Sequence, residues 1–188
     1  MATIHVASAS GGVGTTTIAC VMACTLARDG GKTLIVDKSR FGDVGSVLGL
    51  PKHSNGVIEA TQNLFVSDGY GEGYENVVID YGTQINLSVF PNIQKGDKFY
   101  YVVKNCYVSL KNTITLRDDI IRNKDVDYVG VFEKGRALSK ADVELVLSKQ
   151  VTWLDHDEKV ARSVDAGLLA FRFQNFGEAV SNLALQKI

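Results

Sequence analysis

The stretch Ser10-Gly11-Gly12-Val13-Gly14-Thr15-Thr16-Thr17 decides how this chain reads. Its glycines let successive backbone N–H groups turn toward one point, which bulkier residues resist. Thr3 to Ser8, just before it, is a short run that reads as a buried strand. Thr16 to Asp29, just after it, is apolar nearly all round (Ile18, Ala19, Val21, Met22, Ala23, Leu26, Ala27), as a helix inside an α/β layer should be. Gly30-Gly31 ends that helix, and Thr33-Leu34-Ile35-Val36-Asp37 is a second apolar strand closing on an acid. Strand, glycine loop, helix and strand make a βαβ unit, which implies a parallel pair with a right-handed crossover.

The pattern continues outward. Asn76 to Asp80, Phe99 to Val103, Tyr128 to Phe132 and Gln150 to Leu154 read as further strands. The first of these follows a Gly/Tyr-rich loop at Ser67 to Glu75. Helices are expected over Leu110 to Arg122, from Ser139 through Leu147, over Glu158 to Ala166 and over Phe176 to Lys187. Ser139 with Asp142 three residues on is a capping-box start. Short apolar strands alternating with helices predict an α/β three-layer sandwich around a mostly parallel sheet, of the phosphate-loop (P-loop) NTPase type. Residues 1–188 are expected to form a single domain, with no internal repeat.

Composition limits the function classes. Hydrophobic residues make up 45% and charged residues 22%, the balance of a folded globular chain. A formal charge of −1 argues against coating nucleic acid by bulk charge and leaves only a local basic patch. No apolar run approaches the length of a bilayer span, and the chain opens without a secretory signal, so a cytoplasmic location is expected and membrane association is not. Cys20, Cys24 and Cys106 form no C-x-x-C pair, and the first two fit a buried helix face.

A glycine loop backed by a helix N-terminus is an anion cradle, because unpaired N–H donors and the helix dipole both favour negative charge. Gly11, Gly12, Val13, Gly14, Thr15, Thr16 and Thr17 are therefore the candidate nucleotide-binding residues. The bland reading is a tight strand-to-helix turn in which Thr16 and Thr17 only cap. In the full motif a lysine reaches the β- and γ-phosphates, and Thr15 stands at that position. A hydroxyl brings no charge, and charge-assisted hydrogen bonds are about twice as strong as neutral ones. Thr16 is the candidate Mg²⁺ ligand, with Asp80 as its outer partner. Asp37 and Asp80 both end strands at the edge where ligands of open α/β sheets bind.

These segments resemble the ParA/MinD family of partition and division-site ATPases. Ser10 to Thr17 is similar to that family's deviant Walker A loop, and Val77-Val78-Ile79-Asp80-Tyr81-Gly82 to its Walker B strand. Leu34 to Asp37 resembles its second strand, and Gly42 to Leu50 the helix that follows. Val160 to Leu169 resembles the segment after its last strand. The resemblance implies ATP/ADP with Mg²⁺, an α-phosphate contact from Thr17, a homodimer on nucleotide binding, a partition or localisation partner protein, and nonspecific DNA as cargo or track. For DNA contact the C-terminal half offers Arg162, Arg172 and Lys187.

The departures matter as much. The family's signature lysine falls at Ser10 and its phosphate-loop lysine at Thr15. The second acid of its Asp-x-Asp falls at Ser39, which leaves Asp37 as the one candidate catalytic acid there. A lysine-free loop followed by Arg40-Phe41-Gly42-Asp43-Val44 is similar to the pilus-localisation branch, whose receiver-like N-terminal domain has no counterpart in these residues. Neither is there a counterpart of the helix-turn-helix of larger partition ATPases. Lys38 and Arg40 are the nearest candidates to restore the lost charge. Two functions follow: a ParA-like partition or positioning protein with weak ATP hydrolysis, or a non-hydrolysing pseudo-ATPase scaffold that recruits a protein partner. A kinase-like or reductase-like enzyme has no identifiable acceptor site. Asp155-His156-Asp157-Glu158 is expected to be a solvated loop, His5 a core or rim residue, and the Phe176, Val180, Leu183 stripe a core face.

Overall fold

Buried apolar runs such as Val77-Val78-Ile79 need a sheet covered on both faces, and the chain builds one. The computed structural model describes residues 2–50, 56–83, 96–121, 126–166 and 174–186. Their eight strands are β1 (Ala2–Ser8), β2 (Thr33–Asp37), β3 (Ile58–Thr61), β4 (Leu64–Ser67), β5 (Asn76–Thr83), β6 (Lys98–Lys104), β7 (Asp127–Phe132) and β8 (Val151–Asp155). The helices are α1 (Thr15–Arg28), α2 (Asp43–Val47), α3 (Tyr107–Ile121), α4 (Lys140–Leu147), α5 (Glu158–Asp165) and α6 (Gln174–Leu185). The sheet order is β3-β4-β2-β5-β1-β6-β7-β8. Every neighbouring pair is parallel except β3 with β4.

Two cores lie on the two sheet faces. On one, Val6, Ile35, Val78 and Val102 pack under Ile18 and Met22 of α1, with Val180 and Leu183 of α6. On the other, Val36, Ile79, Tyr101 and Val103 pack against Leu110 of α3 and Val143 and Leu147 of α4. The three-layer sandwich is thus observed. Cys20 and Cys24 are buried, and burial pushes the Cys24 thiol up to about 12, so both behave as core residues. His5 is buried against Tyr81, with its ring 3.1 Å from the phenol and 3.4 Å from Asp97.

The capping box at Ser139 forms: its hydroxyl accepts from the Asp142 N–H at 3.2 Å, and the Asp142 carboxylate accepts from the Ser139 N–H at 2.8 Å. Asp157, in the acidic run after β8, caps α5 by accepting from the Lys159 N–H at 2.8 Å. The β3–β4 hairpin lies inside the stretch that the sequence left without elements. It adds an antiparallel edge beside β2, turning at Gln62-Asn63 with Asn63 in the left-handed region at φ 65°. No helix among the described residues is long and apolar enough to cross a membrane.

Candidate phosphate-loop site

β1 is the central strand where the chain's order reverses, so the loop after it opens in the crevice at the carboxyl ends of the strands. Gly12 and Gly14 take φ of 71° and 97°, which side chains with a Cβ rarely adopt. A Cβ at Gly12 would meet no protein atom within 4 Å, so the loop is open above it. Gly14 sits at the N-cap of α1 with no side-chain cap, and the Ile18 N–H donates to its carbonyl at 2.9 Å. The first-turn amides of α1 are therefore not answered by a capping side chain, as an anion site requires.

The candidate loop residues divide by side. Val13 and Thr15 are buried, Gly11 and Gly12 exposed, and Gly14, Thr16 and Thr17 half-buried. Asn112 of α3 donates from Nδ2 to the Ser10 hydroxyl at 3.1 Å, bracing the position where the family's signature lysine falls. On the other flank, Gly12, Gly14 and Thr17 line a cleft of about 270 Å³ together with Val131 and Val160.

Asp37 and Asp80 sit directly opposite each other in the paired β2 and β5. Asp80 is wholly buried: Oδ1 accepts from the Gly82 N–H at 2.9 Å, while Oδ2 has no hydrogen-bond partner. Burial raises its carboxyl to about 7, against the ionised form favoured by Thr16 and the Gly82 amide; Asp37 and Asp43 raise it further. The Thr16 hydroxyl thus favours the ionised carboxylate, while Oδ2 has no hydrogen-bond partner. A buried carboxylate oxygen left open beside a helix-opening hydroxyl fits a hard divalent cation with its water shell.

Asp37 is differently engaged. Its Oδ1 accepts from the Ser39 N–H at 2.9 Å and the Ser39 hydroxyl at 2.6 Å, and its Oδ2 accepts from the Val44 N–H at 2.9 Å. It therefore braces the 38–43 turn and the start of α2. Gly82, at φ 57°, lets this turn close in, since a Cβ there would lie 2.9 Å from Ser39 Cβ. Lys38 donates to the Asp68 carbonyl and lies over Tyr70, and Arg40 lies over Phe41.

Of the three basic residues, Arg162 is exposed on α5 and pairs with Glu158 at 3.4 Å. Arg172 and Lys187 lie outside the described residues. Lys104, which no sequence motif marks, ends β6 at the same edge as Asp37 and Asp80 and lines the cleft beside the glycine loop. Its signal was a cation closing an apolar strand.

By sequence, no family model matches the chain and no curated protein matches it. By structure it is similar to a ParA family ATPase from Chlorobium tepidum TLS, with a TM-score of 0.84 over 97% of each chain at 16% identity. It is also similar to the septum site-determining protein MinD of Pyrococcus horikoshii OT3 complexed with Mg-ADP, with a TM-score of 0.79 at 16% identity, over 98% of this chain and 95% of that one. A plasmid partition protein of Borrelia burgdorferi B31 bound to AMPPNP gives a TM-score of 0.74 at 15% identity over 96% of each chain. The chain therefore has the mostly parallel α/β fold that these ParA-type and MinD ATPases share.

Proposed function

We propose that this chain is a ParA-like nucleotide-binding protein acting in DNA partition or the positioning of another cellular cargo, with ATP turnover that is slow or absent. One observation carries the reading: an open glycine nest at a helix N-terminus stands beside a buried, half-satisfied Asp80 carboxylate. That combination suits a polyphosphate with Mg²⁺. Thr16 would hold the ion, Asp80 would act behind it, and the Gly11–Thr17 backbone would hold the phosphates. Bound Mg²⁺ would neutralise phosphate charge. The nucleotides in the MinD and Borrelia structures support the reading. The dimer expected from the resemblance belongs to the same proposal, as does a localisation partner; the Aquifex aeolicus MinC:MinD complex supports the latter.

Slow turnover follows from the residues. Neither Ser10 nor Thr15 brings charge to the phosphates, and Asp37 has both oxygens engaged by its own turn. Fixed charge aimed at the transition state is usually the largest catalytic contribution in phosphoryl transfer. The engagement of Asp37 also favours the second reading, a pseudo-ATPase scaffold whose bound nucleotide shapes a partner surface. Calorimetric titration with ATP and ADP in Mg²⁺ tests binding, and a phosphate-release assay separates the two readings. Binding is expected in the wild type and lost in Gly14→Val, since a β-branched residue at φ 97° strains the nest and closes its approach. Unchanged affinity in the folded variant would sink the site. Turnover of several per second would sink the scaffold reading.

A further inference from the structure

Lys104 is a cation at the end of β6, beside the glycine loop. Along β6, Tyr100 and Val102 pack on the face beneath α1, while Tyr101 and Val103 pack on the opposite face. Alternation therefore sends Lys104 to the α1 side. β6 lies beside β1 with Val102 opposite Ser8, so Lys104 stands level with the start of the loop. It shares the cleft wall with Gly12, Gly14 and Thr17.

The side chain is 16% exposed, and its ammonium lies 2.6 Å from Glu133 Oε2. Arg136 holds the same oxygen at 2.9 Å. Two cations on one carboxylate leave this cluster with a surplus positive charge. They also hold the Glu133 carboxyl down at about 2, so it stays ionised at any working pH. Arg136 would keep Glu133 compensated if Lys104 turned to a second anion. The backbone beneath is fixed by Asn105, wholly buried, which donates to the Glu133 and Leu138 carbonyls at 3.0 Å and accepts from the Glu133 N–H at 2.9 Å. Among the described residues lining the cleft the one acid, Asp157, is engaged as the α5 cap.

We propose that Lys104 supplies, from the β6 side, the positive charge that the loop lacks at Ser10 and Thr15, by contacting a phosphate seated on the Gly12–Thr17 backbone. This rests on the nucleotide-binding reading above. Thr17 lines the Lys104 cleft, whereas Thr16 faces Asp80. The lysine therefore meets an inner phosphate, one of the two that ADP and ATP share.

The test is calorimetric titration of Mg·ADP and Mg·ATP into the full chain and into K104Q, K104R and E133Q, with unliganded Tm values as the folding control. K104Q is expected to weaken both nucleotides by about tenfold or more, the difference between a charged and a neutral donor, and K104R to stay within about threefold of wild type. E133Q is expected to tighten both, because it frees the lysine from its carboxylate. A merely architectural ion pair would move K104Q and E133Q in the same direction. Wild-type affinity in K104Q, weakening in E133Q, or a loss confined to ATP overturns the proposal. If K104Q does not fold, the sign of the E133Q effect decides alone: tightening supports the proposal, and no change or weakening overturns it. A wild type that binds neither nucleotide removes the nucleotide reading and this proposal with it. Wild-type binding with K104Q unchanged removes this proposal only.

Discussion

Asp80 holds a carboxylate with no exposed surface, one oxygen accepting from the Gly82 N–H and the other, Oδ2, without a hydrogen-bond partner. Such a group is costly unless something arrives to use its open oxygen. Burial lifts its pKa from the ordinary 3.8 to about 7, so the folded chain binds this proton more tightly than the unfolded chain does. The sign follows: its contribution to stability is fully present below about 4 and is lost as pH rises through about 7. An amide of the same shape carries no charge to desolvate. Asp80→Asn is therefore expected to melt above wild type at pH 8 without ligand, by about 1–3 kcal/mol, with the gap closing toward pH 5. The same variant should lose most of the rise in Tm that Mg·ADP gives the wild type. A variant equally destabilised at both pH values would mean that Asp80 serves only packing.

Elements differ in how much of their placement is written locally. The parallel strands β1, β2, β5, β6, β7 and β8 were legible because each carries a short apolar run, and burial on both faces demands that pattern. The glycine loop was legible from its run of glycines between strand and helix, and Asp37 from closing β2; Asp80, read as a strand end, lies inside β5, which runs on to Thr83. β3 and β4 were not, because β3 has every second residue exposed and the two strands are only four residues each. Their pairing depends on β2 offering an edge, which no local signal states. The Lys104–Glu133–Arg136 cluster was illegible on similar grounds, since the β6–β7 register brings together residues almost thirty positions apart. Asn105 is the tie between these two strand ends, and it predicts a stability effect. Asn105→Ala strips partners from part-buried backbone groups of Glu133 and Leu138, at about 1 kcal/mol or more each. A loss of about 2–4 kcal/mol is expected, read as a lower urea midpoint with an unchanged slope. A midpoint within error of wild type would show that water replaces the tie at no cost.

At the scale of the whole molecule, fold and charge point different ways about DNA. The fold is shared with partition proteins, while the chain carries a formal charge of −1. Direct DNA contact, which the resemblance implies, must come from a local cluster rather than from the overall field. Of its three proposed members, Arg162 is exposed on α5 and only loosely committed, its pair with Glu158 being a solvent-screened one. Each phosphate neutralised adds about −0.9 to the log–log salt slope. If Arg162, Arg172 and Lys187 all contact phosphate, affinity for mixed-sequence duplex should fall about 40-fold between about 50 and 200 mM salt. With Arg162 alone it should fall only about three- to fourfold. A dimer would double the contacts and steepen the slope, so the measurement belongs both with and without Mg·ATP. Arg162→Gln should then reduce the slope by about 0.9 per protomer while leaving sequence preference unaffected. Absence of binding at the lower salt in every nucleotide state would take direct DNA partition away from this chain. The nucleotide-dependent partner scaffold would then be the reading that its nest, its buried Asp80 and its engaged Asp37 support.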